Sequence, residues 1–407
     1  MSGPLSHLRV LDLSRILAGP WCSQLLGDLG AEVIKVERPG EGDDTRAWGP
    51  PFLADAEGGE HGDAAYFLCA NRNKRSVTID FTQVEGQAIV RRLVSKCDIL
   101  VENFKVGGLK KYGLDYESLR TINPGLIYCS ITGFGQDGPY APRAGYDFLI
   151  QAMGGLMSIT GRKEGEPGAG PQKVGVALTD ILTGLYGSVG ILAALQHRDR
   201  TGEGQHIDVA LLDVHVACLA NQAMNYLVGG TAPVALGNSH PNIVPYQDFP
   251  TSDGHMVIAV GNDGQFGRLC DVLGDGAIAA DPRYASNRGR VENRDTLIPL
   301  LSALTARETT DQWVRRLETV GVPCGPINDL EGVFKDPQIV ARGMQIALPH
   351  AAGGSAPGVA NPLRLSETPV SYRSAPPVLG ADTQAVLRDL VGIDDGHLGR
   401  LQREGIV

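Results

Sequence analysis

The segment VGVALTDILTG, residues 174–184, sets a single acid, Asp180, between apolar residues and the start of a long apolar helix. A carboxylate in such company loses hydration, and the cost must be offset by a hydrogen bond, a partner charge or a function. Two chemistries suit it. Asp is a common helix N-cap, where its oxygen accepts a backbone N–H. A carboxylate shielded from water can also serve as a nucleophile. A helix N-terminus favours both, because it stabilises an anion. Other chemistries find no support. The seven cysteines (Cys22, Cys69, Cys97, Cys129, Cys218, Cys270 and Cys324) are scattered, with no CxxC and no metal-type spacing, so we expect reduced thiols in a cytoplasmic protein and no metal site. The turn SRILAGPWC holds one glycine followed by Pro20. It lacks the G-x-G-x-x-G that lets backbone approach a dinucleotide pyrophosphate, which argues against a nicotinamide enzyme.

The elements that must position Asp180 follow from the periodicity. LRVLDLS (8–14), AEVIKVE (31–37), VTIDF (77–81), CDILVEN (97–103) and PGLIYCSITGFG (124–135) predict strands. Residues 19–30 and 85–96 predict helices between them. This alternation predicts an α/β fold with a parallel, doubly wound, Rossmann-like sheet. Residues 161–175, rich in Gly and Pro, predict a loop or cover. One helix is expected from Asp180 to about 197, and a turn at 200–213 begins another that ends near 228. Beyond it, IVPYQDFPTSDGHMVIAVG predicts a hairpin, followed by two or three helices to about 320. We expect a large domain from 1–200 and 330–407, a linker helix over 201–228, and a small α+β domain over 229–329. At 407 residues, two domains are the prior.

Composition narrows the function. Net charge is −10 and no Lys/Arg run reaches five, which argues against a nucleic acid or anionic membrane partner. The most apolar stretch, 181–195, is short for a bilayer span and is broken by Gly184, Gly187 and Gly190. The N-terminus shows no signal-peptide core. A soluble, cytoplasmic enzyme is the expectation.

The stretches 11–50, 71–80, 98–116, 122–140, 183–213, 321–329 and 376–383, taken in order, resemble the family III CoA-transferases. This group includes formyl-CoA and carnitine-CoA transferases and the α-methylacyl-CoA racemases. The resemblance implies that Asp180 is the nucleophile, that a CoA thioester is the substrate with no tightly bound cofactor, and that the chain forms an interlocked homodimer. It also implies that Arg38, Arg75, Asn103, Phe104 and Lys111 hold CoA, with paired guanidinium bonds to phosphate.

Further residues refine the branch. The racemases carry a histidine where this chain has Tyr146, so the proton-exchanging pair is incomplete and transfer is favoured over racemisation. Asp147 is then an auxiliary carboxylate, or a cap for the helix after it. Formyl-CoA transferases have glutamine at the position of Leu17 and a tetraglycine flap; this chain has neither. GNSHPNIVPYQDFPTSDG (237–254) instead resembles the succinyl-CoA:dicarboxylate branch, with His240 and Asn242 at the acceptor. The distal carboxylate of a dicarboxylic acid needs a cation, for which Arg46, Arg143 and His240 are candidates. Trp48 is a candidate wall, and Ser14 and Arg15 stand at the end of the first strand. A racemase, or a transferase for another acid of the carnitine or formyl type, is the alternative within the fold. A silent CoA-binding protein would be expected to lack the acid at 180.

Overall fold

The structure, a computed structural model, describes residues 3–54, 59 and 62–407. The chain divides into two compact units. The first comprises the described residues within Met1–Gly155, with Val174–Leu227 and Gln338–Val407; the second comprises Leu156–Lys173 and Val228–Pro337.

The first unit is built on β1 (Arg9–Asp12), α1 (Ala18–Asp28), β2 (Glu32–Glu37), β3 (Lys74–Thr78), α2 (Val84–Val94), β4 (Ile99–Glu102), β5 (Ile127–Thr132), α3 (Asp147–Met153), α4 (Leu178–Thr201), β6 (His206–Ala210) and α5 (Leu211–Ala217). The six strands form one parallel sheet in the order β3-β2-β1-β4-β5-β6. Successive residues of a strand point to opposite faces, and both faces are covered. Leu11, Ile34, Val77 and Leu100 pack beneath α2 and the C-terminal helix Asp395–Arg403. Val10, Val33, Ile99 and Ile127 pack with Cys22 and Leu26 of α1 and Ile191 and Leu195 of α4. Burial on both sides is what a doubly wound parallel sheet requires. The order reverses direction at β1/β4, and such a switch point opens a crevice at the carboxyl ends of the strands.

Three elements differ from the sequence expectation. β3 begins at Lys74 rather than 77, because Lys74 and Ser76 are buried by polar partners that the sequence does not display. Residues 206–210, expected in a turn and linker helix, form the edge strand β6 on β5, and the one helix expected from there to 228 is two, Leu211–Ala217 and Ala220–Gly229. α4 runs 24 residues, long and apolar enough to cross a membrane by length and composition, yet 44% of its apolar window is buried. Gly184 and Gly187 are among its buried residues. A Cβ on Gly184 would stand 2.7 Å from the Ala18 carbonyl oxygen, so only glycine lets α1 lie this close.

The second unit pairs β7 (Tyr246–Thr251), β8 (Gly254–Ala259) and β9 (Cys324–Pro326) in an antiparallel sheet. Phe249, Met256 and Ile258 pack there with Phe266, Leu301 and Trp313 of the helices that follow. The expected hairpin is present, five helices rather than two or three follow it before residue 320, and residues 156–173 belong to this unit.

Candidate active site

A cleft of about 800 Å³ opens at the carboxyl ends of the strands of the first unit. It is lined by the loops after β1, β2, β4 and β5 and by the start of α4. Leu17, Arg38, Trp48, Asn103, Phe104, Lys111, Arg143, Tyr146 and Asp180 all reach it.

Asp180 sits in the first turn of α4, but not at its cap. The N-cap is Ala177, which has no side-chain oxygen to offer. The capping is done from outside: Asp147, the first residue of α3, accepts from the Thr179 amide at 2.8 Å. Its other oxygen accepts from Gln151 Nε2 at 2.7 Å, and Gln151 in turn accepts from the Val174 amide at 2.9 Å. Thr179 Oγ1 bonds His215 Nδ1 at 2.7 Å, which fixes α5 to the same turn. Every neighbour is therefore tied down, while the Asp180 carboxyl has no hydrogen-bond partner among the described residues. Burial first, and the nearby Asp147 charge second, push its pKa up to about 7. The Tyr66 hydroxyl is pushed up to about 12, by burial and then by Asp180. The result is a carboxylate more basic than usual, shielded from water and free to attack.

The wall beside α4 is a strained turn. Ile16 has φ 70°, the left-handed region that a β-branched residue rarely enters. A conformation of this kind costs about 1–3 kcal/mol and persists only when its surroundings enforce it. Here they do. Arg15 N donates to Asn103 Oδ1, Ile16 N to Asp43 Oδ1, and Lys35 Nζ to the Ser14 carbonyl. Behind the turn, Lys35 pairs with Asp43 at 2.8 Å and Lys74 with Asp12 at 3.1 Å, all without exposed side-chain surface. Burial alone would raise Asp12, but Lys74, Lys35, Ser14 and Ser23 together hold it down to about 2. Ser14 Oγ itself donates to Asp12, so it is part of this support.

Three sequence candidates of the first unit are placed differently. Arg46 is buried against Glu37 and Asp63 and donates to the Pro377 carbonyl; its charge is already matched and does not face the cleft. Arg75 pairs with Glu32 and Asp382 on the rim of β3, away from the cleft. Asp147 is not a cleft-lining residue, and acts on Asp180 through Thr179 and by its charge. His240 lies in the second unit against Tyr246, with the Asn242 amide on its Nδ1.

Sequence reading misses the buried Asp12–Lys74 and Lys35–Asp43 pairs, though a signal exists. A lysine inside EVIKVE, in a sheet covered on both faces, has no solvent side to occupy and must find a partner. It also misses Glu102, buried at the end of β4 and pushed up to about 7, which accepts from the Phe104 amide and so shapes the cleft floor.

The sequence profile of CoA-transferase family III matches residues 5–383. The chain is 54% identical to a succinate–glutarate CoA-transferase of Agrobacterium fabrum, over 96% of each chain. It is 43% identical to the human succinyl-CoA:glutarate CoA-transferase, over 99% of this chain and 90% of that one. A CAIB/BAIF family protein from Brucella suis, solved by crystallography, superposes with a TM-score of 0.84 at 54% identity, covering 96% of this chain and all of that one.

Proposed function

The chain belongs to CoA-transferase family III, and on that premise we propose that it moves CoA between succinyl-CoA and a short dicarboxylic acid, glutarate foremost. The observation that carries the reading is Asp180: a buried carboxyl with no hydrogen-bond partner among the described residues, facing a cleft rimmed by cations. The names of the relatives point to the same donor and acceptor.

The chemistry runs through Asp180. Its oxygen attacks the succinyl thioester carbonyl, the C–S bond breaks, and CoA leaves as thiolate from a mixed anhydride. The thiolate then attacks the aspartyl carbonyl and expels succinate, leaving an aspartyl-CoA thioester. Glutarate attacks that thioester and releases the thiolate again. The thiolate attacks the glutaryl carbonyl of the new anhydride, giving glutaryl-CoA and a free Asp180 carboxylate. Activation passes from bond to bond, so the exchange draws on no other energy source. Both intermediates hydrolyse readily, and apolar walls such as Leu17 and Ala18 oppose that.

Arg38, Lys111 and Asn103 rim the cleft near Phe104 and suit the phosphates and ring of CoA. Tyr146 stands where a racemase would need a proton-exchanging histidine, which favours transfer over racemisation. The interlocked homodimer of the family belongs to the same reading; exposed apolar side chains such as Val189 and Leu227 offer surface for a partner to cover.

An acid panel tests the assignment. Succinyl-CoA with glutarate should yield glutaryl-CoA and succinate in equal amounts without net hydrolysis, and oxalate should be a poor acceptor. If no acid accepts CoA while an α-methylacyl-CoA loses its chirality, the transferase reading fails.

A further inference from the structure

We propose that Arg143 grips the free carboxylate that the succinyl donor and the dicarboxylic acceptor have in common, an assignment that rests on the dicarboxylate reading above. The guanidinium groups and ammonium groups lining the cleft are not equivalent. Arg15 is paired with Asp44 at 2.7 Å, Lys35 with Asp43 at 2.8 Å, and Arg38 with Glu41 at 2.5 Å. Lys111 lies over the ring of Tyr112. Arg143 has no acidic partner among the described residues. Its guanidinium is held 4.6 Å from the centre of the Tyr140 ring and 5.1 Å from that of Phe134, and the two rings meet edge to face. Among the described residues, its side chain's one hydrogen-bond contact is the soft Met153 sulfur at 3.8 Å.

Position separates Arg143 from the cations near Phe104. It precedes Tyr146 by three residues, on a segment whose Gly145 is pressed against Gly133: a Cβ on Gly133 would stand 2.5 Å from the Gly145 Cα. The next residue after Tyr146 is Asp147, which is bonded to the Thr179 amide beside Asp180. The chain thus delivers Arg143 to the nucleophile's end of the cleft, whereas Lys105 and Lys111 enter from the loop after β4. A guanidinium fits a carboxylate with two parallel hydrogen bonds, and stacking on two rings leaves little further freedom to lose when it does so. The reaction itself asks for such a group. Succinyl and glutaryl each place one carbonyl on Asp180 in turn, and each carries a second carboxylate a few carbons away. One fixed cation serves both half-reactions.

The test compares acids that differ only in that second charge. Wild type, Arg143→Lys and Arg143→Met are assayed with succinyl-CoA against glutarate and against valerate, and kcat/KM is taken for each acid. A charge-assisted pair of bonds is worth about 1.5–3 kcal/mol, so the glutarate-to-valerate ratio should fall about 10- to 100-fold in Arg143→Met, chiefly through the KM for glutarate. Arg143→Lys, which keeps the charge and loses the fork, should retain part of the ratio. The succinyl-CoA to butyryl-CoA donor ratio should fall in parallel. If both ratios stay within about twofold of wild type, whatever happens to the overall rate, Arg143 is structural and the assignment is overturned. A wild type that shows no preference for glutarate over valerate contradicts the dicarboxylate reading instead. Should Arg143→Met be too slow to assay, Arg143→Lys decides by the same ratios.

Discussion

At the scale of single residues, the reactivity proposed for Asp180 comes from what it lacks. Asp147, Thr179 and Gln151 are bonded to one another, Thr179 also holds His215 Nδ1, and the carboxyl left out of the network is the one that faces the cleft. Its pKa is raised above that of an unfolded aspartate, so the carboxylate needed for attack is depleted below about pH 7 and restored above it. The kcat/KM for succinyl-CoA should therefore rise with pH through about 7 and level off above. Asp147→Asn removes the second cause of the shift and leaves burial, the first. The midpoint of the profile should move to lower pH while staying above the ordinary carboxylate range. A midpoint that stays put or moves upward would show that Asp147 does not act on Asp180 by charge. These relations are only partly legible in the sequence. Asp180 can be picked out by its apolar frame, but its cap reading fails on a shift of three positions that no single sequence displays. Arg46 is misjudged from sequence because its partners, Glu37 and Asp63, lie nine residues before and seventeen after it.

At the scale of elements, the site depends on how closely α1 and α4 approach. The N-cap and first residue of α1 supply Leu17 and Ala18 to the wall, and Gly184 of α4 receives the Ala18 carbonyl. Gly184→Ala raises helix propensity by about 1 kcal/mol, yet its Cβ would press on backbone at 2.7 and 3.2 Å. Overpacking of this sort costs about 1–3 kcal/mol, so the thermal midpoint should fall and transfer activity with it. Gly267, within the helix Asp263–Leu273, is the control: nothing lies within 4 Å of a Cβ there, and Gly267→Ala should raise the midpoint modestly. Equal effects of the two substitutions would remove close packing as the reason for Gly184. The alternation of strands and helices is legible because buried parallel strands read as short apolar runs. β6 is not, since QHIDVALL is a short edge strand followed directly by a helical run, and its pairing with β5 is a tertiary fact.

At the scale of the whole molecule, the parallel sheet sets its switch point where Asp180, the strained Ile16 turn and the cationic rim converge within the first unit. The fold alone could host a dinucleotide, and it is the missing glycine fingerprint after β1 that argues against one. Division into two units follows from length, but the membership of residues 156–173 does not, because the Gly/Pro-rich stretch that makes up most of it carries no apolar pattern to show which core it joins. The proposed mechanism has Asp180 carry first the acyl group and then CoA. It is tested most directly by trapping the enzyme with hydroxylamine during turnover of succinyl-CoA and mapping the modified residue by mass spectrometry. The expected result is an aspartyl hydroxamate at Asp180, dependent on succinyl-CoA, and neither hydroxamate nor exchange in Asp180→Asn that still folds. A hydroxamate at another residue, or exchange that persists in Asp180→Asn, would contradict it.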